Sequence, residues 1–221
     1  MIKAEHISKN IQVGDKTEHI LTDISFELKQ NTITAIVGKS GCGKSTLLSI
    51  LSGIDKPSEG KVYLKKKDYY SLERKEQEKF RNENIGILFQ NYHLIPELTC
   101  EENIRMPLVF SDKKLESGRV KKMMKSVGLE KQRRLYPKQM SGGEQQRTAI
   151  VRALINKPSI LYADEPTGAL DSETGNRVIR FLVKCAHDQG LTVLLVTHDM
   201  GIANQCDEII RMENGRIVKA K

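Results

Sequence analysis

One short stretch, Gly38 to Thr46, constrains the fold of this chain more than any other part of its sequence. It reads Gly-Lys-Ser-Gly-Cys-Gly-Lys-Ser-Thr and directly follows the apolar run Ile33 to Val37, which is typical of a buried strand. Its glycines allow the backbone to turn tightly and to point successive N–H groups at an anion. A helix predicted to begin within it adds the partial positive charge of its N-terminus. Together these features predict a binding loop for the phosphate groups of a nucleotide.

The side chains of this loop have expected tasks. Lys44 supplies a mobile positive charge for the β- and γ-phosphates, and the Ser45 hydroxyl can reach the Mg²⁺ that bridges them. The alternative, a glycine-rich turn without a ligand, is disfavoured because a strand and a helix flank the loop. The residues predicted to contact the nucleotide are Gly38, Lys39, Ser40, Gly41, Cys42, Gly43, Lys44, Ser45 and Thr46.

Short apolar runs alternate with helical segments along the chain. Besides Ile33 to Val37, the predicted strands are Ile85 to Phe89, Ile160 to Ala163 and Leu191 to Val196. The predicted helices are Lys44 to Ser52, Gly142 to Ile155 and Ser172 to Asp188. This alternation predicts an α/β fold, in which a parallel sheet has helices on both faces and binds its ligand at the carboxyl ends of the strands.

Two regions depart from this alternation. The stretch Ile2 to Leu28, with Lys61 to Leu64, resembles antiparallel strands and predicts a small β layer beside the main sheet. From about Glu97 to Ile155 the pattern is helical, with Asp112 as an expected N-cap, which predicts a helical lobe inserted into the core. Near the end, Asn214-Gly215 between two apolar pairs predicts a hairpin turn.

Composition narrows the class of protein. A chain of 221 residues can bury a sizeable core, and its four cysteines lack the spacing of a zinc site or a disulfide framework. Its net charge of +8 is scattered and its aromatic content is 5%, so we expect no base-stacking platform and no nucleic-acid partner. No apolar run reaches the roughly 18 residues that span a bilayer, and no signal sequence is evident. We therefore expect neither a membrane span nor export.

Three further positions carry candidate chemistry. The strand that ends at Ala163 is followed by two carboxylates, of which Asp164 can hold Mg²⁺ and Glu165 can act as a general base towards water. His198 ends another strand, where it can donate a hydrogen bond to a phosphate, although an isolated histidine is more often structural. Gln90 follows a third strand, and its amide can orient water or contact Mg²⁺.

A second candidate anion site begins at Ser141. Here a hydroxyl and two glycines, Gly142 and Gly143, stand at the start of a predicted helix, followed by Glu144. A helix cap without a ligand is an equally good interpretation of this segment alone. The sequence therefore contains two separate helix N-termini suited to phosphate.

In this order the motifs resemble the nucleotide-binding domain of ABC ATPases over essentially the whole chain. The matching positions are Walker A at Gly38 to Thr46, the Q-loop Gln90, the signature at Met140 to Glu144, Walker B with Asp164 and Glu165, the D-loop at Ala169 to Asp171 and the switch His198. The resemblance implies a P-loop NTPase with a RecA-like parallel core, an antiparallel β layer and an inserted α-helical subdomain. It implies one domain, 1–221, with 1–96 and 156–221 as the core and 97–155 as the helical subdomain.

The resemblance also implies ATP hydrolysis with Mg²⁺ by two copies paired head to tail, each ATP lying between the Walker A loop of one copy and the signature of the other. The residues it makes catalytic are Glu165, His198, Lys44 and Gln90, and those it assigns to Mg²⁺ are Ser45, Gln90 and Asp164. The residues it adds to the ATP contacts are Ile11, Ser141, Gly142, Gly143, Glu144 and Asp171. A transmembrane permease subunit is expected to dock near Asn91 to Glu102.

Finer features resemble the bacterial lipoprotein-release, macrolide-export and bacitracin-resistance ATPases, among them Tyr136-Pro137 and Thr167 to Asp171. This resemblance implies a peripheral subunit on the cytoplasmic face of the plasma (inner) membrane, and export of, or mechanical work on, an antibiotic, peptide or lipoprotein. Regulation of cell-wall or division machinery through a membrane partner stays open. A soluble ABC ATPase of ribosomes or DNA is a further alternative, although the interval from Gln90 to Ser141 is too short for a long coiled coil.

Two positions depart from the family pattern. Met140 replaces the usual leucine of the signature, which is a near-isosteric change. Ile11 stands where the family usually has an aromatic residue against adenine. Stacking on a base is worth roughly 1–3 kcal/mol by analogy with nucleic-acid binding. We therefore expect weakened discrimination between nucleotide bases.

Overall fold

The structure is a computed structural model that describes residues 2–111, 116–168, 170 and 172–220. Within these residues the strands are β1 (Ile2–Val13), β2 (Lys16–Leu28), β3 (Ile33–Val37), β4 (Glu59–Leu64), β5 (Lys67–Asp68), β6 (Ile85–Leu88), β7 (Ile160–Asp164), β8 (Thr192–Thr197), β9 (Glu208–Glu213) and β10 (Arg216–Ala220). The α-helices are α1 (Lys44–Leu51), α2 (Arg74–Asn84), α3 (Cys100–Val109), α4 (Arg119–Ser126), α5 (Gly142–Leu154), α6 (Ser172–Gln189) and α7 (Met200–Ala203). The predicted N-cap Asp112 and the D-loop residues Ala169 and Asp171 lie outside the described part of the chain.

The main sheet has six strands in the order β10-β9-β3-β8-β7-β6. All neighbouring pairs are parallel except the hairpin of β9 and β10. Strand β3 lies in the middle, where Ala35 pairs with both Leu195 and Ile209. Because every residue of β3 is buried, its continuous apolar run reflects cover on both faces of the sheet. The predicted parallel sheet with helices on both sides is confirmed.

Neighbouring residues of β3 supply two different cores, because side chains alternate across a strand. Ile36 packs into a cluster with Leu47 of α1 and Ile7 of the smaller sheet. Ala35 packs into a second cluster with Ile150 of α5 and Ile179 of α6. The central sheet therefore separates α1 and the β layer on one side from α5 and α6 on the other.

The smaller sheet is antiparallel, in the order β2-β1-β4-β5, as the sequence predicts for its first strands. It is tied to the main sheet through the turn of the last hairpin. Gly215 accepts a hydrogen bond from the Thr22 N–H at 2.9 Å and donates its own N–H to the Cys42 carbonyl at 3.1 Å. Its φ of 73° and the Ile20 carbonyl, 2.5 Å from any added Cβ, require glycine there. One turn thus contacts both sheets and the phosphate loop.

A third cluster of buried side chains belongs to the helical region, with Ile104 of α3, Met124 of α4 and Val151 of α5 among its members. Helix α3 begins at Cys100 rather than near Glu97. Thr99 accepts a hydrogen bond from the Glu102 N–H, and the Glu102 carboxylate accepts from the Thr99 N–H at 2.8 Å, which is a capping box. This reciprocal pair sets the start of the helix three residues later than the sequence pattern indicates.

Among the described residues, no helix combines the length and the hydropathy that crossing a bilayer requires.

Candidate functional site

A cavity of about 630 Å³ lies above the carboxyl ends of the parallel strands, at the junction of β3 with α1. Nine of the residues predicted for the site line it, whereas Gly38, Lys39, Cys42 and Asp164 do not. Its lining residues are Ile20, Ser40, Gly41, Gly43, Lys44, Ser45, Thr46, Gln90, Glu165, Val196 and His198. The structure thus brings together side chains from the phosphate loop, from the segment after β6 and from the ends of β7 and β8.

Two glycines of the loop are required by close packing. A Cβ on Gly38 would lie 2.3 Å from the Met212 carbonyl oxygen of β9. Gly43, the N-cap of α1, has a φ of 97°, and a Cβ there would lie 2.7 Å from Leu21. At Gly41, which also has a positive φ of 79°, the space is open. The loop is therefore held tightly at both ends and leaves room for a ligand in the middle.

The Lys44 side chain folds back over this loop. It is 7% exposed, and its ammonium group donates hydrogen bonds of 2.9 Å to the carbonyls of Gly38 and Lys39. An ammonium has three N–H donors, so one remains for an oxygen within the cavity. These bonds fix the positive charge beside the loop, where a phosphate group would sit.

Two candidate oxygen ligands for a divalent cation meet beside the cavity, which Ser45 lines and Asp164 does not. The Ser45 hydroxyl donates a hydrogen bond to Asp164 at 3.1 Å, which joins the first turn of α1 to the end of β7. Burial raises the pKa of the Asp164 carboxyl, and the bond from Ser45 opposes that shift. A hydroxyl and a carboxylate side by side fit Mg²⁺, which prefers oxygen ligands and retains several waters.

The Glu165 carboxylate is held in place by the end of β8. One oxygen accepts a hydrogen bond from the Thr197 hydroxyl at 3.3 Å, and the other lies 2.8 Å from Nδ1 of His198. The Glu165 side chain is 13% exposed, whereas that of His198 is 72% exposed. Glu165 itself has a φ of 46°, a left-handed conformation that is strained for a non-glycine residue. Such strain is typical of functional sites and turns the carboxylate towards the cavity.

The second predicted anion site lies elsewhere. Ser141 caps α5, where its hydroxyl accepts from the Glu144 N–H at 3.3 Å and its own N–H donates to the Glu144 carboxylate at 2.7 Å. The bond from the Ser141 backbone lowers the pKa of Glu144, so that this carboxylate stays charged. Ser141 and Gly142 are exposed, and neither lines the cavity of the phosphate loop. Within one chain, the two glycine-rich helix ends therefore do not form one site.

Ile11 also lies outside the cavity. It pairs with Glu18 in the ladder of β1 and β2 and is 43% exposed. Ile20, which motif reasoning did not identify, lines the cavity from β2. Thr197 was missed as well, although its position in a strand directly before His198 could have indicated it. No sequence signal distinguishes Ile20 from the other apolar residues of its strand.

A second depression, of about 750 Å³, runs between the core and the helical region. We call it the groove. It lies between α2, β6, α3 and α5, and its lining residues include Arg81, Phe89, His93, Pro107, Phe110 and Arg152. Phe110, at the end of α3, is 69% exposed.

Comparison with known proteins identifies the family. Residues 21–168 match the family model described as ABC transporter. The macrolide export ATP-binding/permease protein MacB of Vibrio parahaemolyticus is 39% identical over 99% of this chain, which spans 34% of that relative. The lipoprotein-releasing system ATP-binding protein LolD of Shewanella oneidensis is 40% identical over 97% of this chain and 94% of its own length. The chain therefore corresponds to about a third of MacB and to nearly all of LolD.

Solved structures agree with this assignment. A dimeric structure of the ATP-binding cassette MJ0796, in a post-hydrolysis state bound to ADP and Pi, matches with a TM-score of 0.94 and 38% identity, over 100% of this chain and 98% of that chain. MJ0796 is an ABC transporter ATP-binding protein of Methanocaldococcus jannaschii. The structure of cbiO1 from Clostridium perfringens matches with a TM-score of 0.83 and 31% identity, over 99% and 87% of the two chains. The predicted P-loop NTPase fold, the ATPase activity and the use of ATP with Mg²⁺ are confirmed: the chain belongs to the ABC transporter family, as an ATP-binding cassette.

Proposed function

We propose that this chain is the ATP-hydrolysing subunit of a membrane transport complex, working as a head-to-tail homodimer. The observation that carries the proposal is the separation of the two glycine-rich helix ends. The end at Gly43 lines the phosphate cavity, whereas the end at Ser141 is exposed and outside it. A second copy would complete each cavity with its own Ser141 end. The dimeric structures of MJ0796 support this arrangement.

The residues of the cavity have two kinds of role: some bind phosphate and Mg²⁺, and one accepts a proton. Lys44 would bind the terminal phosphates, and Ser45, Asp164 and Gln90 would hold Mg²⁺. When bound, Mg²⁺ would neutralise charge on the β- and γ-phosphates. Glu165, held by Thr197 at 3.3 Å, accepts the proton of the attacking water.

His198 and the signature residues act on the charge of the γ-phosphate. His198 is mostly exposed and lies beside Glu165, so its second ring nitrogen can donate to a phosphate oxygen at the mouth of the cavity. Across the dimer, the N-terminus of α5 would present its free N–H groups to the same phosphate. We assign this contact to Ser141, Gly142, Gly143 and Glu144. The ATP contact of Asp171, which lies outside the described residues, stays a prediction.

The dimer can be tested with Glu165→Gln, which removes the proposed base but keeps the size of the side chain. We expect this variant to remain dimeric at saturating Mg-ATP by light scattering, because ATP holds the copies together until it is hydrolysed. Glu130→Gln, an exposed position, serves as the matched control and should return to monomer as ATP is consumed. A Glu165→Gln protein that stays monomeric would overturn either the base assignment or the dimer.

Adding Ser141→Arg to the Glu165→Gln protein tests the contribution of α5. A large cation at the exposed cap of α5 should block pairing without disturbing the cavity, so that ATP still binds to the monomer. Loss of the dimer with retained ATP binding, measured by calorimetry, is the expected result. A dimer that persists would exclude this helix end from the interface.

We further propose that the groove receives a segment of a transmembrane permease subunit. It lies where the core, 1–96 and 156–221, meets the helical subdomain, 97–155, and it includes His93 of the proposed docking stretch Asn91 to Glu102. The exposed Phe110 ring gives it an apolar anchor point. We therefore expect the subunit to be peripheral, at the cytoplasmic face of the plasma (inner) membrane.

The relatives favour export, or mechanical work on an antibiotic, peptide or lipoprotein, since one is a macrolide export protein and another belongs to a lipoprotein-releasing system. Detergent extraction of membranes that contain the tagged chain, followed by identification of co-purifying proteins, tests this. Recovery of a membrane-spanning protein is expected. Recovery of ribosomes instead would contradict the transport assignment.

A further inference from the structure

The loop that carries Gln90 has an unusual backbone. Two and three residues after Gln90, Tyr92 and His93 adopt φ angles of 58° and 45° in succession. Left-handed conformations are unfavourable for residues with a side chain, and two in a row require support from the surroundings. The loop therefore cannot keep this shape from its local sequence alone.

Arg152 of α5 supplies that support. Its two terminal nitrogens donate hydrogen bonds to successive carbonyls, at 2.5 Å to Tyr92 and at 2.6 Å to His93. The fork of the guanidinium group matches two neighbouring carbonyl oxygens, which a lysine ammonium cannot do. Burial lowers the pKa of Arg152. Both left-handed residues are thus fixed by one side chain.

The same loop also contacts the other end of α5. The Tyr92 hydroxyl is buried and has no hydrogen-bond partner among the described residues. It lies 3.9 Å from the position that a Cβ on Gly142 would take, at the start of the helix. On its outer side the loop is closed by the His93 ring, which stacks on Phe89 with centroids 4.4 Å apart. The loop is therefore held by both ends of α5 and by Phe89, the residue that follows β6.

We infer that Arg152 is a positioning residue for Gln90. By holding the left-handed pair Tyr92 and His93, it keeps the Gln90 amide in the phosphate cavity, where this amide would contact Mg²⁺. This inference rests on the proposed role of Gln90 at the metal. It assigns to Arg152 an effect on metal affinity, although Arg152 lines the groove and does not line the cavity.

The test measures Mn²⁺ binding, by electron paramagnetic resonance, to the full chain saturated with a non-hydrolysable ATP analogue. Arg152→Met should weaken Mn²⁺ binding about tenfold, the usual effect of losing a group that orients a metal ligand. Arg152→Lys should weaken it similarly, because charge without the fork does not hold both carbonyls. Arg74→Met, at an exposed arginine of α2, is the matched control and should leave Mn²⁺ binding unchanged.

A rescue variant separates positioning from a general loss of structure. Glycine tolerates a positive φ, so His93→Gly should remove much of the need for Arg152. The double variant Arg152→Met with His93→Gly should therefore bind Mn²⁺ more tightly than Arg152→Met alone. The backbone amides of residues 89–94 should exchange hydrogen faster in Arg152→Met than in the parent protein. When His93 is already glycine, adding Arg152→Met should raise these exchange rates by a smaller factor.

Gln90→Ala distinguishes the two ways in which the inference can fail. If Gln90→Ala weakens Mn²⁺ binding and both Arg152 variants do not, the positioning role of Arg152 is wrong while Gln90 keeps its own. If Gln90→Ala leaves Mn²⁺ binding unchanged, the proposed metal contact of Gln90 is wrong, and the inference falls with it. If Arg152→Met does not fold, the milder Arg152→Lys and the double variant decide the question.

Discussion

At the scale of one residue, the charge of the Asp164 carboxylate lowers the stability of the fold, although the proposed binding of Mg²⁺ requires this charge. Burial raises the pKa of its carboxyl, because the charged form loses contact with water. An acid with a raised pKa in the folded state binds its proton more tightly there than in the unfolded chain. Its stabilising contribution is therefore present below the unfolded pKa and is lost as the pH rises through the folded pKa. At neutral pH the Asp164 charge destabilises the fold until a cation neutralises it.

Replacing Asp164 by Asn should therefore raise the melting temperature at pH 7 without Mg²⁺, while abolishing Mg²⁺-dependent ATPase activity. The increase should shrink as the pH falls through the folded pKa, where the parent carboxyl is protonated too. Scanning calorimetry across that range checks the sign, with Asp15→Asn at an exposed turn as the control. A lower melting temperature for Asp164→Asn at pH 7 would contradict the destabilising role of this charge.

The side chain at position 11 is expected to affect the preference of the protein for ATP over GTP. With an aliphatic side chain at this exposed position, we expect the parent protein to hydrolyse ATP and GTP with comparable kcat/KM. Ile11→Tyr should tighten ATP binding by roughly 5- to 150-fold, the range that corresponds to a stacking contact of about 1–3 kcal/mol. Val13→Tyr, two residues along the same strand and equally accessible, is the control and should leave affinity unchanged. A strong preference for ATP in the parent would show that another contact recognises the base.

At the scale of elements, the two glycine-rich helix ends differ in what surrounds them. A Cβ at Gly38 would collide with the Met212 carbonyl at 2.3 Å, whereas a Cβ at Gly142 would meet only the Tyr92 hydroxyl at 3.9 Å. The first glycine is required by this chain's own fold. Within one chain, no contact around Gly142 requires a glycine at that position.

This contrast predicts opposite outcomes for two alanine substitutions. Gly38→Ala should lower the free energy of unfolding by roughly 1–3 kcal/mol, the usual cost of overpacking. Gly142→Ala should leave it unchanged or raise it by up to about 1 kcal/mol, yet weaken the ATP-bound dimer of Glu165→Gln if phosphate approaches this backbone. Denaturant titration and light scattering measure the two effects. Equal destabilisation by both substitutions would show that Gly142 is a structural glycine.

The elements were largely predictable from the sequence, because their signals are local. The buried strands begin and end within about one residue of the predicted bounds, as at Ile160–Asp164, since their apolar runs are bounded by polar residues. The contacts that complete the site were not predictable. Ile20 lines the cavity because β2 passes the loop, and Arg152 meets Tyr92 across sixty positions of sequence. Contacts of this kind follow from packing, which periodicity and motif spacing do not encode.

At the scale of the whole molecule, the groove joins surfaces from four elements into one site for a partner. Phe110→Ser should reduce recovery of the membrane partner in the co-purification experiment without altering the ATPase activity of the isolated chain, because this ring is 69% exposed and does not line the phosphate cavity. Val218→Ser removes a similarly exposed apolar side chain from β10 and is the control. Unchanged recovery with Phe110→Ser would exclude this ring as an anchor.

The position of β3 between β8 and β9 has a consequence for the order in which the protein forms. The phosphate loop is synthesised early, yet both neighbours of β3, and Met212 against Gly38, come from the last part of the described chain. The turn at Gly215, which bonds to Cys42 and Thr22, is made later still. During synthesis from the N-terminus, the antiparallel strands β1, β2 and β4 can pair first. Strand β3, which precedes the phosphate loop, stays unpaired until β8 and β9 have been made. A nascent chain therefore gains its whole nucleotide pocket only after β8 and β9 have been synthesised, so ATP binding indicates that the central sheet has formed.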